Sequence, residues 1–153
     1  GNFLYRGHGL FHLRTTEKRI SELVLIAGGS GLTAVYQLLK KIQAKEKDEK
    51  NPRRVVLLFA NRTEEDILLR DELESLVESN PSRYHLWYTV DRTSNDRWKY
   101  SRGHIDETML RHHLPAPSDQ LLICLCGPTP MIHSACLPAL NQLGYSSSMI
   151  HIF

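Results

Sequence analysis

The feature that most constrains this chain is a repeated rhythm in which a short, near-continuous apolar run gives way to a turn and then to a helix-patterned stretch. Residues 23–27 (LVLIA) stop at Gly28-Gly29, and Leu32, Val35, Leu38, Leu39 and Ile42 then recur at helical spacing. A second apolar run spans 55–60. Thr63, with Asp66 three residues on, follows it as a helix start, and Ile67, Leu68, Leu73, Leu76 and Val77 supply the apolar side. Residues 84–90 form a third run, rich in aromatic and β-branched side chains. A loop over 91–103 and a short helix over 105–114 come next, then a fourth run at 121–126, a helix over 130–143 and a last short strand at 149–153. Strands apolar along their whole length are buried on both faces, which calls for a parallel sheet covered by helices on each side. Right-handed crossovers then give an α/β, doubly wound three-layer sandwich with a parallel sheet of about five strands. Ahead of it, residues 1–14 read as a hairpin and the polar residues 15–22 as a linker, so the expected division is 1–22 and 23–153.

Composition removes several function classes. With 19 Lys+Arg against 17 Asp+Glu and a net charge of +2, the chain offers no basic face for nucleic acid. Three cysteines, Cys124, Cys126 and Cys136, make no disulfide framework and fit a reducing compartment. No apolar run approaches the roughly 20 residues of a membrane helix. A chain opening at Gly1, without an initiator methionine or a signal-like segment, is expected to be part of something longer.

In doubly wound sheets ligands bind outside the carboxyl ends of the strands. After the first strand, Gly29, Gly31 and Ala34 fit the spacing G-x-G-x-x-A between a strand and a helix. Small residues there let backbone N–H groups and the positive helix end approach a pyrophosphate, with Ser30 and Thr33 adding hydroxyls. A tight strand-to-helix turn also favours glycine whatever it binds. The acid expected at the tip of the second strand, to hold a ribose, is missing, because that strand ends in Asn61-Arg62. Arg62 suits either a 2′-phosphate or a solvated loop, while Asp91 follows the third strand. The fourth strand runs into Cys126-Gly127-Pro128-Thr129-Pro130-Met131, which places a thiol at a rigid turn on the ligand face. Cys124 and Cys136 read as small buried hydrophobes.

Metal and hydrolase chemistries find no support. There is no CxxC, the HxxxH pair His8 and His12 lies in a glycine-rich lead-in, His104, His112, His113, His133 and His151 are scattered, and no G-x-S-x-G elbow occurs. Seven Lys and Arg between 40 and 54, against three acids, read as a solvated helix end, or as a surface that steers an acidic partner.

These residues resemble the NADH–cytochrome b5 reductases, within the ferredoxin–NADP reductase group. LIAGGSGLTAVYQLL (25–39), LLFANRTEEDILLRDELE (57–74), HLWYTVDR (85–92), WKYSRGHIDETMLRHHLP (98–115), LCGPTPMI (125–132) and the terminal IHIF carry the resemblance in family order. It departs where members usually read GGTGITPM and CGPPPM: Ser30, Leu32, Ala34, Val35 and Thr129 stand here. The resemblance implies a ferredoxin-reductase-type nucleotide-binding domain. Such a domain passes hydride from NADH to FAD, and the electrons go on to cytochrome b5 or a similar haem protein. It implies that Gly28, Gly29, Ser30, Gly31 and Thr33 lie near the nicotinamide and pyrophosphate, and that Asp91 favours NADH over NADPH. It puts Cys126 beside the nicotinamide as a positioning group in the hydride-transfer region, Gly127, Pro128 and Met131 in the same turn, and Phe153 on the flavin side of the cleft. The family's R-x-Y-[ST] flavin motif does not occur in the chain, so the FAD-binding barrel is expected outside it, with the 1–14 hairpin as the junction. The isolated domain is then expected not to turn over, and its setting to be the cytoplasmic side, at the endoplasmic reticulum or mitochondrial outer membrane given an upstream anchor. Alternatives are a nitrate-reductase-like module with another acceptor and a non-catalytic nucleotide-binding domain.

Overall fold

Strand and helix alternate in the computed structural model, which describes residues 3–13 and 16–153. Residues 1, 2, 14 and 15, the ends of the expected hairpin and the start of the expected linker, lie outside the described residues. A small antiparallel sheet comes first: β1 (Phe3–Gly7), β2 (Leu10–Leu13) and β3 (Thr16–Arg19), in the order β1-β2-β3. The main sheet is parallel and has six strands: β4 (Glu22–Gly28), β5 (Arg54–Asn61), β6 (Tyr84–Val90), β7 (Ser101–Arg102), β8 (Leu121–Cys126) and β9 (Ile150–Ile152). Their order is β7-β6-β5-β4-β8-β9. The chain therefore starts in the middle, winds outward through β5, β6 and β7, and crosses back to continue on the other side of β4. Right-handed crossovers place the helices of the two halves on opposite faces.

Alternation along each strand feeds both faces. Leu23, Leu25 and Ala27 of β4 join α1 (Leu32–Gln43) and α2 (Arg70–Ser79) in one core, through Val35, Leu39, Ile42 and Leu73. Val24 and Ile26 join α3 (Glu107–His113) and α4 (Leu137–Gln142) in the other, through Leu110 and Leu140, with Cys136 just ahead of α4 in the same core. Tyr5, Phe11 and Ile20 of the small sheet belong to the first core, so this sheet covers the α1 side.

The expected doubly wound parallel sheet is present, and local differences have physical reasons. Residues 16–19, read as linker from their polarity, form an edge strand that pairs with β2 through its backbone, so its exposed side chains carry no apolar pattern. The sixth strand, β7, is two residues long and sits inside the expected 91–103 loop. Thr63 and Asp66 do make the expected capping box, but it caps a single 3₁₀ turn over Glu64–Asp66. The helix proper waits until Arg70, because Leu69 holds a left-handed backbone (φ 53°), and Leu68 is turned out to 48% exposure. Residues 131–136 form a π-helical turn ahead of α4, where Pro138 has no N–H to continue an α-type ladder.

Candidate functional site

Reversal of strand order between β4 and β8 opens a crevice at their carboxyl ends. Ala27 pairs with Cys126 across these strands, so the two turns leave the sheet side by side. They interlock through their glycines. A Cβ on Gly31 would lie 2.2 Å from the Cys126 carbonyl oxygen and 3.0 Å from the Gly127 nitrogen. One on Gly28 would meet Met131 Sδ at 2.5 Å, and one on Gly127 would meet Met131 Cε at 2.7 Å. Gly29 has φ +55° with open space around it, so its requirement is conformational. The π turn presents Met131 to both glycines. Each turn is visible separately in the sequence; their mutual contact is a product of the fold.

Above the interlock, the twelve-residue α1 begins with no side-chain cap and no acid in its first turn. Its positive end is therefore left to an anion, with Ser30 and Thr33 exposed beside it. Cys126 is half-buried, and burial pushes its thiol up, so the group is a neutral S–H at neutral pH and not a ready nucleophile. Pro128 is exposed at the rim of the turn. Phe153 lies just beyond β9, its N–H donating to the Leu125 carbonyl at 3.0 Å, which sets it beside Cys126. Its ring centroid is 4.9 Å from that of Phe3 and 5.1 Å from that of His151.

At the other end of the strand edge, the β5–β6 ladder continues past the strands. Asp91 N–H donates to the Asn61 carbonyl and Arg92 N–H to the Arg62 carbonyl, each at 3.1 Å, bringing these tips together. The Asn61 side-chain amide nitrogen is buried there and meets no acceptor among the described residues. Gly103 (φ +97°) donates to the Val90 carbonyl at 2.8 Å and accepts from Thr89 Oγ1 at 2.6 Å, folding the chain back over β6. That fold places His104 Nε2 3.6 Å from Asp91 Oδ1, with both side chains well exposed. In the sequence His104 is one of several scattered histidines; the glycine fold-back is what brings it to Asp91. From β8 to β6 is three strand spacings, roughly 14 Å, enough to lay out the two ends of a dinucleotide.

Among the described residues no cluster of three or more His, Cys, Asp or Glu is arranged to hold a metal ion, and no helix is long and apolar enough to cross a membrane. A groove of about 330 Å³ between α1 and α2, lined by Tyr36, Lys40, Asp71 and Leu76, holds none of the strand-end residues. The basic stretch turns its bases outward while Glu46, Asp48 and Asn51 make specific contacts. Glu46 accepts from Tyr84 Oη at 3.0 Å and pairs with Arg83 at 2.9 Å, and Asp48 pairs with His8 at 2.9 Å. The stretch lies at the far end of α1, about 18 Å from the crevice by helix length.

Comparison with known proteins agrees with this geometry. Residues 25–137 match the model of the oxidoreductase NAD-binding domain. The chain is 43% identical to NADH-cytochrome b5 reductase 1 of Bos taurus, over 97% of this chain and 50% of the relative. It is 44% identical to NADH-cytochrome b5 reductase 2 of Gallus gallus, over 97% of this chain and 49% of the relative. The chain thus spans about half the length of the curated relatives it matches. Among solved structures, the cytochrome b5 reductase domain of Ulva prolifera nitrate reductase superposes with a TM-score of 0.93 at 40% identity, covering 100% of this chain and 56% of that one. The fold is of ferredoxin-reductase type.

Proposed function

Because the chain belongs to the oxidoreductase NAD-binding domain family, we propose that it is the NADH-binding half of an FAD-dependent reductase that takes hydride from NADH and delivers electrons to cytochrome b5 or a similar haem protein. The observation that carries this reading is the interlock of the 28–31 and 126–131 turns beneath an uncapped helix, a cradle whose Cβ positions are filled by backbone and Met131. In this reading the Gly28–Gly31 backbone and the start of α1 hold the pyrophosphate, with Ser30 and Thr33 as hydroxyl donors. Cys126, neutral because of its burial, packs beside the nicotinamide and orients it, with Gly127, Pro128 and Met131 completing the wall. Phe153 bounds the crevice where a flavin would face it. FAD, when bound, supplies the acceptor for the hydride pair and releases the electrons singly; this chain's part is to orient the dinucleotide and exclude water.

Asp91 receives the adenosine ribose: its carboxylate accepts hydrogen bonds from two hydroxyls and repels a 2′-phosphate. Binding of NAD⁺ and NADP⁺ to the chain, followed by calorimetry, tests this. NAD⁺ is expected to bind more tightly, and Asp91→Ala to narrow the difference. Equal or tighter NADP⁺ binding by the native chain would sink the Asp91 assignment, and the absence of any NAD⁺ binding would sink the whole reading. Without a flavin domain the chain is expected to show no NADH-driven diaphorase activity.

Cytochrome b5 is preferred over a nitrate-reductase-type acceptor because the curated relatives compared above are cytochrome b5 reductases and the nitrate reductase likeness lies in its cytochrome b5 reductase domain. A non-catalytic binding domain would have no need for the neutral thiol and the aromatic ring that flank the crevice. The acceptor would not use the 40–54 stretch for electron transfer, since that surface lies at the opposite end of α1. Placement at the cytoplasmic face of a membrane would follow from an anchor outside these residues.

A further inference from the structure

At the amino end of β6, six residues before Asp91 and so roughly 20 Å from it by strand length, the sheet meets α3 through two histidines. His85 Nε2 lies 3.1 Å from His113 Nδ1, and the rings are inclined by 25° with centroids 5.4 Å apart. His85 is exposed on its strand, while His113 is half-buried at the end of α3, so the pair is open to solvent from the His85 side. We infer that His85 and His113 form a two-histidine seat for a divalent cation that prefers imidazole, of the Zn²⁺ or Cu²⁺ kind, and that the bound ion pins α3 to β6. This site is separate from the proposed dinucleotide crevice and does not depend on it.

The separation of the two nitrogens carries the inference. Imidazole nitrogens bind Zn²⁺ at about 2.0–2.1 Å, so two of them at square or tetrahedral angles around one ion stand about 2.9–3.4 Å apart. The 3.1 Å here falls inside that range before any ion arrives. A neutral imidazole carries its single proton on either nitrogen. Moving the proton that lies between the rings to the outer nitrogen of its own ring leaves two facing lone pairs, with no proton lost. Burial, with His85 and His112 nearby, holds the His113 pKa at about 4, and burial, with Arg54, lowers that of His85, so both rings are neutral at neutral pH. The His113 ring is also fixed in advance. It stacks on Trp87 at 4.3 Å, and Trp87 is held in turn by its Nε1 donating to Ser101 Oγ at 2.8 Å and by the edge of Tyr100 at 5.0 Å. Among the described residues no third His, Cys, Asp or Glu completes a cluster, so water fills the remaining positions. His112 does not serve as that ligand: neighbours along a helix do not face each other, and its ring centroid is 6.5 Å from that of His113. The charge of Arg54 reaches His85 and opposes the ion, which keeps the site a weak one.

Zn²⁺ alone is titrated into the chain by calorimetry at about pH 7.5, above the ordinary histidine titration, and hydrogen exchange in α3 is followed with and without the ion. The native chain is expected to bind, and His85→Gln, at an exposed strand position, to lose at least about tenfold in affinity. His113→Gln is expected to lose as much, and His112→Gln to bind as the native chain does. With Zn²⁺ present, α3 is expected to gain protection in the native chain and none in His85→Gln. Thermal unfolding without the ion checks that each variant is folded; if His113→Gln is not, His85→Gln and the exchange data decide. No binding by the native chain overturns the inference. An affinity that His85→Gln leaves unchanged also overturns it, because the ion then sits on other histidines or on the thiols. So does a loss that His112→Gln shares in full, and binding that leaves the exchange of α3 unaltered removes the pin.

Discussion

Gly31 and Gly29 look alike in the sequence and differ in what they require. Gly31 needs space: an added methyl would sit 2.2 Å from a backbone oxygen, which no rotamer change relieves. Gly29 needs a left-handed backbone with nothing near its Cα. Gly31→Ala is therefore expected to destabilise by about 2–3 kcal/mol, by forcing the two turns apart, and to weaken NAD⁺ binding by at least about tenfold, since the wall proposed to face the pyrophosphate moves with it. Gly29→Ala carries only the conformational cost, about 1 kcal/mol. Urea unfolding and NAD⁺ titration of the two variants read the contrast, and equal costs would contradict the interlock. The spacing of these glycines was legible in the sequence. Their partners, the Cys126 carbonyl and Met131, were not, because nothing local relates positions a hundred residues apart.

At the scale of elements, α3 is held to β6 through a histidine pair. His85 Nε2 lies 3.1 Å from His113 Nδ1, and the His113 ring stacks on Trp87 with centroids 4.3 Å apart. Burial, reinforced by His85 and His112, lowers the His113 pKa to about 4, and burial lowers His85 in the same direction. Unfolded histidine titrates near 6.5. Between these values the unfolded chain takes up a proton that the folded chain refuses. The stabilisation is thus fully present above about pH 6.5 and is lost as pH falls toward about 4, amounting to roughly 1 kcal/mol after solvent screening of a partly exposed ring. Denaturant midpoints across that window are expected to fall with pH in the native chain and to fall less in His113→Phe. A parallel decline in both would remove the pair from the account. Several elements differed from their sequence expectation for one reason. β3, β7 and the Leu69 break are set by backbone pairing or backbone conformation, and side-chain periodicity does not register these.

For the molecule as a whole, the small antiparallel sheet is latched to the nucleotide-binding core at Asn51. This side chain is 3% exposed, accepts from Tyr5 Oη, and donates to the Ile42 carbonyl at 2.9 Å and the Lys45 carbonyl at 3.2 Å. Lys18 Nζ reaches the Ser148 carbonyl, and the Phe3 ring packs at a tilt against that of Phe153, so the same sheet also braces the chain's last residues beside Cys126. Asn51→Ala leaves the buried Tyr5 hydroxyl without its acceptor, while the Ile42 and Lys45 carbonyls keep their backbone donors, and is expected to cost about 1–3 kcal/mol. Hydrogen exchange should show lost protection in β1 and β2 while β4, β5 and β8 keep theirs. Uniform loss across both sheets would mean that the latch is part of one cooperative core.

The apolar strands, the helix stripes and the glycine turn were readable from the sequence by themselves, because burial on both faces and close backbone approach each demand particular residue types at short spacing. From them came the doubly wound sheet, the strand ends where a ligand belongs, and Cys126 and Asp91 as residues at those ends. Tertiary structure alone decided that the two glycine turns interlock, that the 40–54 bases lie far from the crevice while Asn51 holds the small sheet, and that His104 faces Asp91. Each is a contact between segments far apart in the chain or an effect of backbone conformation. Such contacts depend on strand order and on where a left-handed residue turns the chain, and residue type at short range encodes neither.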